Sequence, residues 1–566
     1  MTSSSPEQSK RPILIYDGRC GFCKIWVDYW RRLTGDHVEF AASQDVAEQY
    51  PEISKEQFSK SVWLVYPDGR RVSGAEAAYE LMARAPGKEW LLWMYRNLPG
   101  FAPVSELFYR FIAAHRNFAF HVTRILWGKV IEPASHRWTR SLFLRGIGVV
   151  YLIAFLILAP QIIGLIGEHG ILPVQAYSDT ALLAICWSGA ALAIALIVGV
   201  LPVPAAIGLY VLYLLIDLAG QYFLSFQWDA LLLEAGFASI LLAPFGFRPS
   251  YSQEPSRFAL WVQRLLAFRL MLDSGLVKFQ SGDPTWRNLT ALDFHFETQP
   301  LPTPLAWYVQ HLSSNVHRGM TAAVFVVELA VPFLFLMPRR LRIIGAWITI
   351  VFQMCIALTG NYTFFNLLAI VLCFTLFDDQ HLRRFIPAWI RNRTEVRVSR
   401  LRPWRRAVAA LSVILIFFGF TNAMPRSLRQ YQIVNRYGLF AVMTTSRPEI
   451  VIEGSNDGEQ WKEYEFKYKP GPGWVAPYQP RLDWQMWFAA LGSYQENPWF
   501  EALMVRLLEG SSDVLGLFRT NPFPDKPPRF VRALVYDYHF SPRGSNDWWT
   551  RRLLGTYFPA VSLREQ

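Results

Sequence analysis

Two cysteines, Cys20 and Cys23, stand three residues apart in YDGRCGFCKIW, directly after a short apolar run. At a strand-to-helix junction such a pair can do thiol–disulfide chemistry. The first thiol faces free amides at the helix N-terminus, which favour its thiolate. The second, one turn on, can close a disulfide and release a bound partner. Cys20 is thus the expected attacker and Cys23 the resolver. An inert remnant and one half of a zinc site are the other readings. Zinc takes four ligands, yet no further cysteine lies nearby and His37 is the nearest imidazole. No metal site and no cofactor is expected.

A second set of reactive side chains lies in apolar surroundings. FQWDALLLEAGF carries Asp229 and Glu234, and RLLAFRLMLDSGLVKFQSGDPTW carries Arg264, Arg269, Asp273 and Lys278. A charge at the centre of a span costs about 2.5–3.5 kcal/mol on the insertion scale, so each needs a partner or a use. Arg269 and Asp273 are four apart and can pair on one helix face. The set reads either as a structural network neutralised by acids from the fourth apolar segment, 224–244, or as a polar cavity lined by Asp229, Glu234 and Lys278, open to the outer face. Lys278, near the outer end, can also snorkel.

A third set is PRLDWQMWFAAL, where Arg481 and Asp483 flank Trp484, Trp487 and Phe488. Aromatic and Arg residues anchor binding surfaces, but aromatics at this spacing also make a core stripe. Arg481 and Asp483 are expected to pair with each other or with Arg447. The expected arrangement turns their polar edge toward residues 280–318, where prolines, aromatics and His295 suggest a folded cap.

The elements that must carry these groups fall into three blocks. Apolar residues make up 52% of the 566, charged residues only 18%, and the net charge is +12. That mixture fits a membrane core with soluble parts attached. The excess of Arg then reads as the positive-inside bias rather than as nucleic-acid binding. Cys186, Cys355 and Cys373 lie in apolar runs and read as buried hydrophobes. The start, MTSSSPEQSK, reads as a disordered polar segment, residues 1–10, and not as a signal; the apolar run from about Leu142 would be the first anchor.

Residues 11–118 read as a thioredoxin-like α/β domain: strand, Cys-x-x-Cys, helix, a hairpin around Pro67-Asp68-Gly69, and a further helix. Residues 119–142 read as a basic amphipathic connector. Nine apolar segments follow within 143–423, near 143–166, 181–201, 203–219, 224–244, 258–279, 319–337, 341–359, 363–378 and 405–423. Residues 424–566 alternate in PEIVIEGSNDGEQWKEYEFKYKPG and VRALVYDYHF, with a turn at Gly454–Gly458. They read as a β-sandwich-like domain carrying helical insertions.

Orientation follows from Lys and Arg in short loops. Arg124, Lys129, Arg137 and Arg140 precede the first span and Arg145 stands at its start, loop 338–342 holds three arginines, and 380–406 holds nine. With nine spans these fall on one side. The N-terminal domain is then cytoplasmic and residues 424–566 are extracytoplasmic.

YDGRCGFC followed by WLVYPDGRRVSGAEA resembles the DCC family of thiol-disulfide oxidoreductases, over about 100 residues. The cis-proline that thioredoxins place opposite the active pair has no counterpart, since Lys60-Ser61 precedes that strand. FQWDALLLEAGF, SGLVKFQSGDPTWRNLTAL, HFETQPLPTPLAWY, NRYGLFAVMTTSRPEIVIEGSNDGEQWKEYEFKYKPG and PRLDWQMWFAAL together resemble the lipase maturation factor family, from about residue 140 to the end. That resemblance implies a multi-pass membrane protein that helps secreted clients, lipases among them, to fold and assemble. The face formed by Arg481, Asp483 and His295 would then bind the client. Gly275-x-x-Lys278-Phe279 with Trp286 is also similar to a short stretch of vitamin K-dependent carboxylases, where the matching lysine is a catalytic base.

Two functions are therefore carried forward: a membrane-embedded folding factor and a membrane-anchored thiol-disulfide oxidoreductase. The expected partners are membrane lipid, secreted clients and a thiol reductant, and the expected location is a bacterial inner membrane. Thiols on the cytoplasmic, reducing side point to a sensing or regulatory role for the front domain. A relay through Cys355 and Cys373 is the alternative.

Overall fold

The computed structural model describes residues 11–129, 131–249, 254–386, 403–421, 423–471 and 480–563. The expected disordered start and most of the arginine-rich segment 380–406 lie outside the described residues. The chain divides into two compact units, residues 1–135 with 337–341, and residues 136–336 with 342–566.

The first unit is built on a four-stranded sheet of β1 (Ile13–Tyr16), β2 (Glu39–Ala42), β3 (Trp63–Val65) and β4 (Arg71–Ser73), in the order β2-β1-β3-β4. β2 runs parallel to β1, and β3 and β4 are antiparallel neighbours. Strand side chains alternate between faces, so Leu14 packs with Val27 and Leu81 on one side while Ile15 packs with Ile53 and Phe58 on the other. The hairpin β3–β4 turns at Gly69, whose φ of 84° is one that glycine adopts without a Cβ clash. Helix Gly21–Thr34 starts at Cys20, and helices Phe101–Ala114 and Arg116–Leu126 complete the unit. The stretch expected as one connector, 119–142, is thus shared out. Its first part closes the first unit, and Arg137 opens a long apolar helix of the second.

Among the described residues five helices are long and apolar enough to cross a membrane: Arg137–Leu158, Asp179–Val198, Pro202–Phe223, Ser314–Leu334 and Arg339–Thr359. The remaining expected crossings differ for physical reasons. The first stops ahead of Pro160, and Ile162–Ile166 is a separate short helix. Gln227–Ile240 has 14 residues, about 21 Å at 1.5 Å per residue, against a hydrocarbon core of about 30 Å. Arg257–Gln280 is long enough at 24 residues but carries Arg264, Arg269, Asp273 and Lys278. Phe365–Phe374 and Ala407–Gly419 are shorter apolar helices.

Residues 280–318 fold as three short helices, Pro284–Arg287, Ala291–Thr298 and Pro304–Gln310, before Ser314–Phe325 begins. Past residue 447 comes an antiparallel sheet in the order β10-β9-β5-β6, from β5 (Pro448–Ser455), β6 (Lys462–Glu463), β9 (Phe530–Phe540) and β10 (Trp549–Val561). β7 (Glu465–Phe466) and β8 (Phe518–Thr520) form a separate two-stranded sheet. In place of a second full sheet, helix Pro498–Glu509 lays Phe500 against Phe558 of β10. The bundle and this sheet share one continuous apolar core.

Candidate functional site

Cys20 is the N-cap of helix Gly21–Thr34, and its Sγ accepts the N–H of Cys23 at 3.2 Å. The hydrogen bond from the Cys23 thiol, helped by that N–H and by the positive guanidinium of Arg116, lowers the Cys20 thiol to about 6 against the opposing effect of burial. Cys23 is buried and its thiol is pushed upward, first by its hydrogen bond to Cys20 and then by desolvation. One thiol is therefore primed for attack and the other held protonated. Asp17 frames the pair. It accepts the N–H of Arg19 and the Gln44 amide, each at 3.0 Å, and meets Arg116 at 3.4 Å. Gly18 is required by close approach, since a Cβ there would come within 2.7 Å of both Ala42 Cβ and Gln44 Oε1. Opposite the pair, where no proline stands, Tyr109 Oη accepts the N–H of Val62 at 2.9 Å and Arg116 donates to the carbonyl of Lys60 at 2.9 Å. Sequence reading missed Arg116 and Tyr109, which lie far along the chain from the motif.

Four of the charged set, Asp229, Glu234, Arg269 and Lys278, fall into three separate ion pairs, while Arg264 donates to the Thr375 carbonyl at 2.8 Å. Arg481 reaches Asp229 with two hydrogen bonds, at 2.7 and 2.8 Å, and the Tyr213 hydroxyl donates to the same carboxylate at 2.5 Å. Arg269 pairs with Glu234 at 2.9 Å, and Glu234 also accepts from the Tyr437 hydroxyl and the Asn435 N–H, each at 2.7 Å. Lys278 binds Glu328 at 2.8 and 3.0 Å and the Ser274 carbonyl at 3.2 Å. The expected Arg269–Asp273 pair is replaced. A fully buried acid on a neighbouring helix outcompetes a half-buried one on the same helix, because its unpaired cost is larger. Asp229, Glu234 and Lys278 likewise do not line one cavity, since each faces its own counter-charge.

Arg481 and Asp483 also pair differently from expectation, and both are buried rather than on a polar edge. Asp483 accepts the backbone N–H groups of Tyr468 and Lys469 at 2.8 and 2.9 Å. Arg447 is fully buried, paired with Glu449 at 2.8 Å and donating to the Pro300 carbonyl at 2.9 Å. A client anchor needs solvent access, which neither Arg481 nor Asp483 has. Trp484 stacks edge-on to Trp228, and the Trp487 indole donates to the Thr298 carbonyl at 2.9 Å, so the two tryptophans are core, while Phe488 is exposed.

Beneath the helices of 280–318 lies an apolar cavity of about 270 Å³. Lys278, Glu328, His295, Tyr362, Gln353 and Asn366 bring polar groups to it. Glu328 sits in a π-helical turn, Val326–Ala330, inside an otherwise α-helical crossing. Such turns re-aim side chains and concentrate at functional sites. His295 faces the Tyr362 hydroxyl at 3.3 Å through Nε2, while its Nδ1 is buried without a partner among the described residues. Burial, then the charge of Lys278, lower this imidazole to about 4, so it is neutral above that pH. Sequence reading missed Glu328, although a lone acid in VVELAVPF was a usable signal. Cys355 lines the cavity and is exposed, whereas Cys373 is buried, and all five cysteines are free.

Comparison with known proteins follows the same division. Residues 138–181 and 175–384 match the lipase maturation factor transmembrane domain, and 433–559 match the lipase maturation factor C-terminal domain. Residues 14–122 match the DCC1-like thiol-disulfide oxidoreductase model. Lipase maturation factor 2 of Gallus gallus is 34% identical over 583 residues, covering 75% of this chain and 82% of the relative. Lipase maturation factor 2 of Homo sapiens is 34% identical over 594 residues, covering 76% and 83%. Lipase maturation factor 1 of Homo sapiens is 34% identical over 501 residues, covering 75% and 88%. No solved structure matches the chain. The matches cover both the transmembrane and the C-terminal domain, and the chain belongs to the lipase maturation factor family, with a DCC1-like domain joined ahead of the family's own two domains.

Proposed function

We propose that this membrane protein assists the folding or assembly of secreted client proteins, lipases among them, on its extracytoplasmic side. The observation that carries the reading is the family match over both the transmembrane and C-terminal domains. Nine crossings with a cytoplasmic N-terminus put residues 424–566 on the client side, and the arginine-rich loops support that sense. The fused thiol domain favours a bacterial inner membrane. The test is secretion of a lipase from cells with and without the protein, together with recovery of the lipase on the solubilised full chain. Reduced active lipase without the protein, and lipase bound to it, are expected. Unchanged lipase activity in its absence would overturn the reading.

The Cys20 geometry favours a second activity: a thiol-disulfide exchange domain acting on the cytoplasmic side, where it senses or regulates. Cys20 attacks a substrate disulfide and forms a mixed disulfide. Cys23 then attacks Cys20, expelling the substrate as a thiolate and leaving Cys20–Cys23 oxidised, to be reset by a thiol reductant. Replacing Cys23 by Ser should trap the mixed disulfide, and replacing Cys20 should abolish it. Equal adducts from both variants would remove this activity.

A further inference from the structure

The cavity beneath residues 280–318 has features that neither the thiol pair nor a folding role explains. Its walls are largely apolar, from Leu270, Phe352 and Phe440 among others. Its polar groups are few and convergent, the usual design of a small-molecule site. They are Lys278, held against Glu328, with Trp286 beneath the ammonium at 5.6 Å, and His295 beside Tyr362. The buried, unpartnered Nδ1 of His295 is a hydrogen-bonding valence that the protein itself leaves open.

Access is set by Ala323 and Cys355. Both line the cavity and both are exposed. They lie on Ser314–Leu334 and Arg339–Thr359, two of the helices apolar enough to cross a membrane. Around them Val326, Val351, Met354 and Leu358 are also exposed, 50–58% of each. An apolar surface of that kind faces lipid. The mouth therefore opens sideways, and what enters comes from the bilayer.

Charge and size narrow the guest. Lys278 and Glu328 cancel, so a charged head would be buried without a counter-ion. The volume, about 270 Å³, is near the lower end of ordinary ligand sites, about 300 Å³. That is room for the head and the first part of one chain, the rest of which lies in the bilayer beyond the mouth, and a second chain is excluded. We propose that the cavity binds a single-chain amphiphile with an uncharged, hydrogen-bonding headgroup, admitted laterally from the membrane. The head donates to Glu328 or to the open Nδ1 of His295, and the chain lies along the apolar wall toward Ala323 and Cys355.

The test uses the full chain in phosphatidylcholine nanodiscs and a monoacylglycerol carrying a mid-chain diazirine. Photo-adducts are expected within Met320–Glu328 and Phe352–Tyr362, suppressed at least five-fold by excess monooleoylglycerol. Oleate at pH 8 and added phosphatidylcholine should compete less than two-fold. Val324→Trp, which fills the cavity from a half-buried wall position, should remove these adducts. His295→Leu, which keeps the volume but not the hydrogen bond, should weaken labelling about ten-fold, and it serves if the Trp variant fails to assemble. Adducts confined to outward-facing Val351 and Leu358, or labelling that plain monooleoylglycerol does not suppress, would overturn the site. Equal competition by oleate would overturn the uncharged head, and equal competition by phosphatidylcholine the single chain.

Discussion

Lys278 and Glu328 are 50 residues apart in the chain, yet the lysine Nζ lies 2.8 and 3.0 Å from the two carboxylate oxygens, with both side chains buried. Removing one member leaves the other charged and unpaired, at about 3–5 kcal/mol, whereas replacing both is far milder. Lys278→Met should therefore lower thermal stability more than Lys278→Met with Glu328→Leu. Tryptophan fluorescence during heating in detergent measures this. A double variant worse than the single would show that the pair is not what holds this region.

Arg481 gives a prediction opposite to the sequence-based one. An exposed Arg481 could be lost without harm, but the buried pair with Asp229 makes Arg481→Ala destabilising by a similar 3–5 kcal/mol. Its abundance in membranes should fall at least as far as that of Trp487→Ala, and Asp229→Asn should partly restore it. Quantitative blotting after a synthesis block would decide, with wild-type persistence of Arg481→Ala counting against the pairing.

Alkylation of Cys20 should rise with pH around a midpoint of about 6, while Cys23 reacts slowly throughout. Because the folded value lies below the ordinary 9.0, the thiolate stabilises the reduced fold fully above pH 9. That contribution is lost as pH falls through about 6. Arg116→Leu should move the midpoint upward, since it removes a positive charge beside the thiolate. Iodoacetamide rates followed by peptide mass spectrometry report both quantities, and a midpoint near 9 in the wild type would refute the assignment.

Reporter fusions after residues 118 and 430 should give opposite-side signals. That result follows from an odd number of crossings and from the arginine distribution. Signals from the same side would require the crossing count to be even.

What was legible in the chain was local. The Cys20–Cys23 junction, the hairpin at Gly69 and the turn at Gly458 depend on residues within a few positions, and each forms at its expected place. Ion pairing was legible only in outline: Arg269 is neutralised by Glu234, an acid of the fourth apolar segment, as the network reading has it, but short-range spacing matched it with Asp273. The real partners come from other elements: Glu234 lies 35 positions away and Arg481 lies 252 from Asp229. The span count is matched in part: five helices are long and apolar enough among the described residues, while Gln227–Ile240 is apolar but ends after 14 residues. The cavity was invisible because its wall joins residues from Leu270 to Met443.

The separation of Asp229 from Arg481 also has a consequence in time. At about 5–20 residues per second of synthesis, the 252 positions between them take roughly 13–50 seconds to translate. Throughout that interval a carboxylate waits in an apolar helix for a guanidinium that does not yet exist. The nascent bundle must meanwhile hold Asp229 protonated, wet or in the care of another protein. A ribosome that stops early releases a chain marked as incomplete by an unanswered charge inside the membrane.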